Sequence, residues 1–202
     1  MIALPETTWT LVVPVKTLSA AKTRLHGHPR PVVMRAFALD AMTAVLASPA
    51  VAAAYVVTNE ADLATDVRAL GCRTLADEGT GDLNRALAVA VAQAGDGPVA
   101  ALLGDLPCLL PDDLTAALEW AASAGGAYVA DAAGTGTSML AVTDPTTFAP
   151  HFGAGSSAAH AAAGYAPVPL DVPTLRLDVD TAEDLRLAIE LGVGPHTRAV
   201  LG

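Results

Sequence analysis

The sequence has 202 residues, of which 52% are hydrophobic and 16% are charged, and its formal net charge is −10. This length allows one substantial hydrophobic core and predicts a single domain over residues 1–202. The acidic balance disfavours nucleic acid and anionic membranes as partners, and the first apolar run is too short for a signal peptide or a membrane-spanning helix, which predicts a cytoplasmic protein.

Apolar runs and helical patterns alternate along the chain. The predicted strands cover residues 9–15, 52–58, 72–76, 98–103, 127–130, 138–142 and 175–179. The predicted helices cover residues 31–48, 60–70, 83–94, 111–124, 156–163 and 181–191. Strands that alternate with helices predict an α/β fold with a mainly parallel sheet and helices on both faces. The two consecutive strands within 127–142 predict an antiparallel excursion.

A basic stretch follows the first predicted strand. It contains the only lysines of the sequence, Lys16 and Lys22, and also Arg24. Five cations lie between Lys16 and Arg35, and residues 7–39 include no Asp or Glu. Open α/β sheets bind ligands beyond the carboxyl ends of their strands, and Lys and Arg are the side chains that bind phosphate there. The stretch therefore predicts a phosphate site, the alternative being a solvated basic loop.

Three aspartates are candidate ligands of a divalent cation. Asp105 follows the apolar strand at 98–103 and a glycine, so it either caps the next helix or binds a metal. Asp178 and Asp180 would point to the same face of the predicted strand at 175–179, where they repel each other unless a cation lies between them. A Mg²⁺ shared with Asp105 would supply that charge. For Asp180 the alternative is a cap on the helix that begins near Thr181.

Two turns are rich in small and hydroxyl residues, at 134–138 and 152–157. Either turn could hold a phosphate through its backbone N–H groups. Neither is a P-loop, and the first strand is not followed by a Gly-x-Gly-x-x-Gly motif, which disfavours a dinucleotide-dependent dehydrogenase. The histidines have no metal-ligand spacing and no nucleophile elbow surrounds the serines, so we predict neither a catalytic histidine nor a hydrolase.

Taken in order, these motifs resemble the guanylyltransferases of coenzyme F-420 biosynthesis, which act on 2-phospholactate or phosphoenolpyruvate. The resemblance rests on six segments, namely 12–25, 81–87, 103–107, 134–138, 152–156 and 177–181. It implies the three-layer α/β/α, Rossmann-like nucleotidyltransferase fold. The sequence departs from the family pattern at Asp82, where glycine is more usual, and at Ser138, where threonine is common.

The resemblance implies a reaction in which a phosphate oxygen of a phosphorylated three-carbon acid attacks the α-phosphorus of GTP and releases pyrophosphate. Such a transfer needs charge neutralisation and in-line positioning more than a protonated catalyst. By the same resemblance, Lys16, Lys22 and Arg24 hold the triphosphate and form the catalytic set with Asp105. Asn84 and the loop before it read the guanine or the ribose.

The resemblance also assigns the metal and the acceptor. Mg²⁺, the expected cofactor, is held by the three aspartates named above, and the phosphate and carboxylate of the acceptor are held by Ser138, Gly153 and Ser156. Phosphoenolpyruvate is the expected acceptor, because the composition is typical of a GC-rich actinobacterial genome; 2-phospho-L-lactate is the alternative. A labile product suggests direct hand-off to the next enzyme.

Two further interpretations remain open at this stage. One is a nucleotidyltransferase that acts on a sugar phosphate or molybdopterin. It predicts a glycine-rich loop after the first strand, whereas residues 13–24 contain no glycine. The other is a non-enzymatic nucleotide-binding module, which predicts loss of the metal carboxylates.

Overall fold

A seven-stranded β-sheet forms the centre of the structure, a computed structural model that describes residues 7–15, 24–25, 27–78 and 81–202. The strands of this sheet and of a small adjoining hairpin are β1 (Trp9–Pro14), β2 (Arg24–Leu25), β3 (His28–Pro29), β4 (Val51–Val57), β5 (Arg73–Leu75), β6 (Val99–Leu102), β7 (Gly126–Ala130), β8 (Thr137–Val142) and β9 (Ala166–Pro167). The helices are α1 (Arg30–Ala47), α2 (Ala61–Leu70), α3 (Leu83–Ala94), α4 (Pro111–Ala124), α5 (Ser156–Ala162), α6 (Pro173–Arg176), α7 (Ala182–Leu191) and α8 (Pro195–Leu201).

The order of the strands across the sheet is β5-β4-β1-β6-β8-β7-β9. β1 pairs in parallel with β4 and β6, and β4 pairs in parallel with β5. β8 runs antiparallel to both β6 and β7, and β9 returns to a parallel pairing with β7. This topology confirms the predicted parallel sheet and the antiparallel excursion.

Helices cover both faces of the sheet because successive residues of a strand point to opposite faces. On β1, Leu11 and Val13 pack in one core cluster with residues of α1, α2 and α4. Val12 packs on the other face with Leu87 and Val91 of α3. The three β1 side chains are fully buried. The expected three-layer α/β/α arrangement is confirmed.

Local sequence signals define several helix ends as predicted. α2 ends at Gly71, whose φ of +111° lies in the left-handed region that favours glycine. α7 begins with a capping box in which Thr181 and Asp184 bond each other's backbone N–H groups. α8, which the sequence pattern did not indicate, begins where the buried Asp40 accepts hydrogen bonds from the backbone N–H groups of its first turn.

The predicted strand at 175–179 is wrong. α6 occupies its first residues, and residues 177–180 have no regular secondary structure. α6 forms because Pro173 takes the first helical position and Thr174 donates from its N–H and its hydroxyl to Asp113 Oδ2, at 3.1 and 2.6 Å. Asp178 and Asp180 therefore do not share one face of a strand.

The strand order reverses at β1, and the candidate site lies at this reversal. The chain leaves β1 for β4 and β5 on one side, then returns to β6 on the other side of β1. Such a reversal leaves a crevice at the carboxyl ends of the two strands, where open α/β sheets bind ligands. Pro14 and Val15 end β1 at this crevice, and Gly104 and Asp105 follow β6 there. In the part of the chain that the structure describes, no helix is long and apolar enough to cross a membrane.

Candidate active site

A cavity of about 580 Å³ opens at this crevice. Its volume lies in the range of small-molecule sites. Acidic, basic and hydroxyl side chains line it together with glycines. These polar and glycine residues are Arg30, Gly104, Asp105, Asp131, Thr135, Gly136, Thr137, Gly153, Ser156, Asp178 and Asp180.

Asp105 lies deepest among the acidic groups of the cavity. Its Oδ1 is buried and has no hydrogen-bond partner among the described residues. Burial raises the pKa of this carboxyl to about 7, with smaller contributions from the negative charges of Asp178 and Asp180, while Arg30 acts in the opposite direction. A desolvated carboxylate beside two others favours a cation as its neighbour.

Asp178 reaches the same cavity from the segment that precedes α7. The N–H of Val179 donates to the carbonyl oxygen of Asp105 at 3.0 Å, which ties this segment to the loop after β6. Burial raises the pKa of Asp178, and the negative charges of Asp131, Asp180 and Asp184 raise it further. The two loops thus bring separate acidic groups to one wall of the cavity.

Asp180 is engaged by a cation. Nη2 of Arg30 lies 3.5 Å from Asp180 Oδ1, and Nη1 donates to the Asp180 carbonyl oxygen at 3.2 Å. The Asp180 side chain is 68% exposed, so it sits at the mouth of the cavity. Within the described ranges, no group of three or more His, Cys, Asp or Glu side chains is arranged to hold a metal ion. The three aspartates line one cavity without forming a closed ligand cage.

The turn before α5 forms another part of the cavity wall. Gly153, with φ of +129°, and Ser156 line the cavity there. The hydroxyl of Ser156 is buried and has no partner in the described part of the chain. Asn84 holds this turn, because its Oδ1 accepts from the Phe152 N–H at 2.7 Å and its Nδ2 donates to the Phe152 carbonyl at 3.0 Å. In this structure the Asn84 amide therefore bonds the protein backbone rather than facing the cavity.

Thr137, and not its neighbour Ser138, presents its side chain to the cavity. Ser138 is fully buried, and its Oγ lies 3.4 Å from the carbonyl oxygen of Val129. The reason is strand alternation, since adjacent residues of β8 point to opposite faces. The expectation that the Ser138 side chain grips the acceptor does not fit this position.

His160 orients the hydroxyl of Thr137. The Nε2 of His160 accepts from the N–H of His151 at 2.9 Å, so the proton resides on Nδ1, which lies 3.0 Å from Thr137 Oγ1. Burial, followed by the nearby His151, lowers the pKa of His160 to about 4 and keeps the ring neutral. With the proton on Nδ1, Thr137 Oγ1 can only be the acceptor in this contact, so the hydroxyl hydrogen is directed away from His160.

Asp131 shapes the glycine-bearing turn at 131–137. Its carboxylate accepts from the N–H groups of Thr135 and Gly136 at 2.9 and 2.8 Å. A Cβ on Gly136 would lie 2.2 Å from Asp131 Oδ2, so a larger residue there would displace the Asp131 carboxylate from its hydrogen bonds. Thr135 in turn accepts a hydrogen bond from the N–H of Ser157 at 3.1 Å. The two turns predicted to hold phosphate are thus joined.

The three predicted cations of the nucleotide site are not placed. Lys16 and Lys22 lie outside the described residues, and Arg24 is described only as backbone of β2. Arg30, which belongs to the same basic stretch, lines the cavity. Among the described residues of the basic stretch, Arg30 is therefore placed at the site.

Three lining residues were not singled out from the sequence. Arg30 was counted only as part of the basic stretch, Asp131 only as the start of a loop, and Thr137 only as part of a turn. The polarity of the turn at 134–138 was a usable signal for Thr137. The other two become recognisable only when the topology brings the carboxyl ends of β6 and β7 and the start of α1 together.

Comparison with protein families matches residues 9–201 to the family described as guanylyl transferase CofC like. The chain is 48% identical over 201 residues to the phosphoenolpyruvate guanylyltransferase of Streptomyces coelicolor, with 95% of each chain covered. It is 44% identical over 200 residues to the phosphoenolpyruvate guanylyltransferase of Salinispora arenicola, which covers 96% of this chain and 94% of the relative.

Solved structures share the fold at lower identity. A nucleotidyl transferase from Methanothermobacter thermautotroptrophicus superposes with a TM-score of 0.60 at 16% identity, covering 91% of this chain and 97% of that one. A 4-diphosphocytidyl-2C-methyl-D-erythritol synthase superposes with a TM-score of 0.58 at 14% identity, covering 92% and 98%. At these identities the likeness establishes the nucleotidyltransferase fold alone.

Proposed function

The chain belongs to the family of CofC-like guanylyl transferases, and on that basis we propose that it transfers GMP from GTP to phosphoenolpyruvate. The products are enolpyruvyl-diphospho-5'-guanosine and pyrophosphate. The observation that carries the proposal is the 48% identity, over 95% of both chains, to a phosphoenolpyruvate guanylyltransferase. This reaction agrees with the resemblance to the enzymes of coenzyme F-420 biosynthesis.

The reaction joins two anions, and this determines what the site must supply. An oxygen of the acceptor phosphate bonds to the α-phosphorus of GTP, while the bond from that phosphorus to the bridging oxygen of the β-phosphate breaks and pyrophosphate leaves. The acceptor phosphate is ionised at neutral pH, so no general base is needed. Positioning and charge neutralisation provide the rate enhancement. The neutral state of the buried His160 agrees with this requirement.

Mg²⁺ is the proposed cofactor, with Asp105 and Asp178 as its protein ligands. Support comes from the buried Asp105 Oδ1, which lacks a partner among the described residues, and from the oxygen-only character of the donor set. When bound, the metal would neutralise charge on the phosphate groups of the substrates. Asp180 would join this set only after releasing Arg30, with which it now forms an ion pair.

The acceptor is proposed to bind against the turn before α5. Ser156 contributes a buried hydroxyl that no described residue uses, and Thr137 contributes a hydroxyl whose hydrogen is directed away from His160. Gly153 lets the ligand approach the backbone closely. These neutral donors suit a ligand that carries both a phosphate and a carboxylate. Lys16, Lys22 and Arg24 remain proposed ligands of the triphosphate.

Product identification tests the proposal. Purified protein is incubated with GTP, Mg²⁺ and phosphoenolpyruvate, and the mixture is followed by phosphorus NMR. We expect two coupled diphosphate resonances of a GMP ester together with free pyrophosphate. A mixture that shows only GTP and unreacted phosphoenolpyruvate, from protein that binds both, would contradict the proposed reaction.

A further inference from the structure

A second, smaller cavity of about 270 Å³ adjoins the candidate active site. Pro14, Val15 and Leu83 line both cavities. The smaller one extends from them to Val57, which ends β4, and to Asp77, which follows β5. One extended ligand can therefore occupy both cavities, with its charged end beside the carboxylates and its other end in the smaller space.

The position of Asp77 is fixed by Asn59. Nδ2 of Asn59 donates to the carbonyl oxygen of Asp77 at 2.6 Å, and the N–H of Asp77 donates to Asn59 Oδ1 at 3.1 Å. The two residues follow neighbouring parallel strands, so this pair joins the carboxyl ends of β4 and β5. These bonds fix the backbone of Asp77, and this residue lines the smaller cavity.

The carboxylate of Asp77 has an unused acceptor. Its Oδ1 is buried and accepts no hydrogen bond from the residues that the structure describes. A buried polar atom without a partner costs about 1–3 kcal/mol, so such an atom is expected to be satisfied by a ligand. The other carboxylate in this cavity, Asp82, already serves as the N-cap of α3 and accepts from the N–H of Asn84 at 2.9 Å.

The remaining lining favours a ligand group with a largely apolar surface. Pro14, Val57, Leu83 and Ala86 provide hydrocarbon surface around Asp77. Ligand sites of this kind combine an apolar wall with a few placed polar groups that determine orientation and specificity. A nucleobase has an apolar ring face and hydrogen-bonding edges, and a carboxylate can only accept along such an edge.

We propose that Asp77 selects the guanine base of GTP by accepting hydrogen bonds from its N1–H and its 2-amino group. The inference rests on the proposed function, because it takes GTP as the donor substrate. Guanine presents two adjacent donors on its Watson–Crick edge. Adenine presents an unprotonated N1 there and cytosine an unprotonated N3, and each would place a lone pair against the carboxylate. Asp77 thus acts as a specificity-determining residue.

The first test uses the unmodified protein and compares GTP with ITP, whose base lacks the 2-amino group. Binding of each nucleotide is measured by titration calorimetry without acceptor. ITP lacks one hydrogen bond to the charged acceptor, so its binding affinity should be about 10-fold lower than that of GTP. Equal affinities for GTP and ITP would overturn the assignment of Asp77.

The second test uses the variant Asp77→Asn, in which an amide NH2 donor replaces one of the two carboxylate acceptors. The amide can donate to the 2-carbonyl of xanthine and accept from its N1–H, so we expect XTP to replace GTP as the preferred nucleotide. GTP binding should fall by at least about 10-fold. Glu78→Gln is the matched control, because it removes the same charge from the exposed neighbouring side chain, and it should keep the GTP preference.

The outcomes separate this inference from the proposed function. Retained preference for GTP over XTP in a folded Asp77→Asn protein would overturn the role of Asp77 and leave guanylyl transfer intact. Tight, guanine-selective binding without transfer to any acceptor would contradict the proposed function and leave the role of Asp77 standing. A melting curve of the variant matching that of the parent establishes folding, which we expect because Oδ1 has no described partner to lose.

Discussion

The side chain of Asn84 forms a two-point hydrogen bond with the backbone of Phe152, and this bond joins the start of α3 to the turn before α5. This turn carries Gly153 and Ser156, which line the candidate acceptor site. Asn84 is therefore placed to position the acceptor subsite. The resemblance had instead assigned it to the guanine or the ribose.

Asn84→Ala distinguishes these two roles. If Asn84 positions the turn, the KM for the acceptor should rise and kcat/KM for the acceptor should fall by up to about 100-fold, because small displacements of a binding group are costly. The KM for GTP should change little. A raised KM for GTP with an unchanged KM for the acceptor would support the nucleotide-reading role instead.

Asp105→Asn should lower kcat by roughly 100- to 1,000-fold, since it removes a charged group from the site of phosphoryl transfer. Steady-state pyrophosphate release at saturating Mg²⁺ measures this. Asp112→Asn is the control, because that side chain is exposed in the first turn of α4. Full activity of Asp105→Asn would contradict the assigned metal role.

The same variant should stabilise the metal-free protein. The pKa of Asp105 is raised to about 7, so its stabilising contribution is present below the unfolded-state pKa and is lost as the pH rises through 7. At pH 8 with a chelator, Asp105→Asn should therefore gain roughly 1–4 kcal/mol of unfolding free energy. Chemical denaturation measures this, and at pH 4 the difference should disappear. A loss of stability at pH 8 would contradict the desolvation of Asp105.

Mg²⁺ binding should weaken as the pH falls. Below pH 7 the metal must displace a proton from Asp105, so the apparent affinity should decrease by up to about 10-fold per pH unit and level off above pH 8. The dependence of the Mg²⁺ affinity on pH is measured by calorimetric titration. A range of about 1.5 pH units on either side of the pKa of Asp105 is sufficient. A pH-independent affinity would exclude Asp105 as a ligand.

The hydrogen-bond chain from His160 to Thr137 predicts a non-additive pair of variants. Thr137→Val should raise the KM for phosphoenolpyruvate by about 10-fold through loss of one hydroxyl donor to an anion, whereas Thr137→Ser should restore it. His160→Phe should raise the KM for phosphoenolpyruvate in the parent protein. In the Thr137→Val background it should cause little further increase in that KM. Additive effects of the two substitutions would show that His160 does not act through Thr137.

The sequence predicted the elements that have strong local signals. The bounds of α3 and α4 agree with the prediction, because the amphipathic pattern of each ends at glycine and α4 also begins at Pro111. The strand at 175–179 was wrong because Leu175, Leu177 and Val179 alternate as in a strand, while contacts distant in sequence fold the segment otherwise. Local patterns carry no information about such contacts.

The site was predictable in its polar loops but not in its side-chain directions. The positions of Asp105, Gly153 and Ser156 follow from the topology once β6 and α5 are placed. Whether Thr137 or Ser138 faces the cavity depends on the register of β8, which one residue inverts. The engagement of Asn84 by Phe152 is a contact over 68 positions of sequence, which no motif reports.

The choice of acceptor is the most direct test of the central claim. Initial rates of pyrophosphate release are measured with GTP and Mg²⁺, adding phosphoenolpyruvate, 2-phospho-L-lactate or 3-phosphoglycerate in parallel. We predict that phosphoenolpyruvate gives the highest kcat/KM and that 3-phosphoglycerate gives no release above the background without acceptor. Release that is faster with 2-phospho-L-lactate, or absent with all three acceptors from protein that binds GTP, would contradict the assignment as a phosphoenolpyruvate guanylyltransferase.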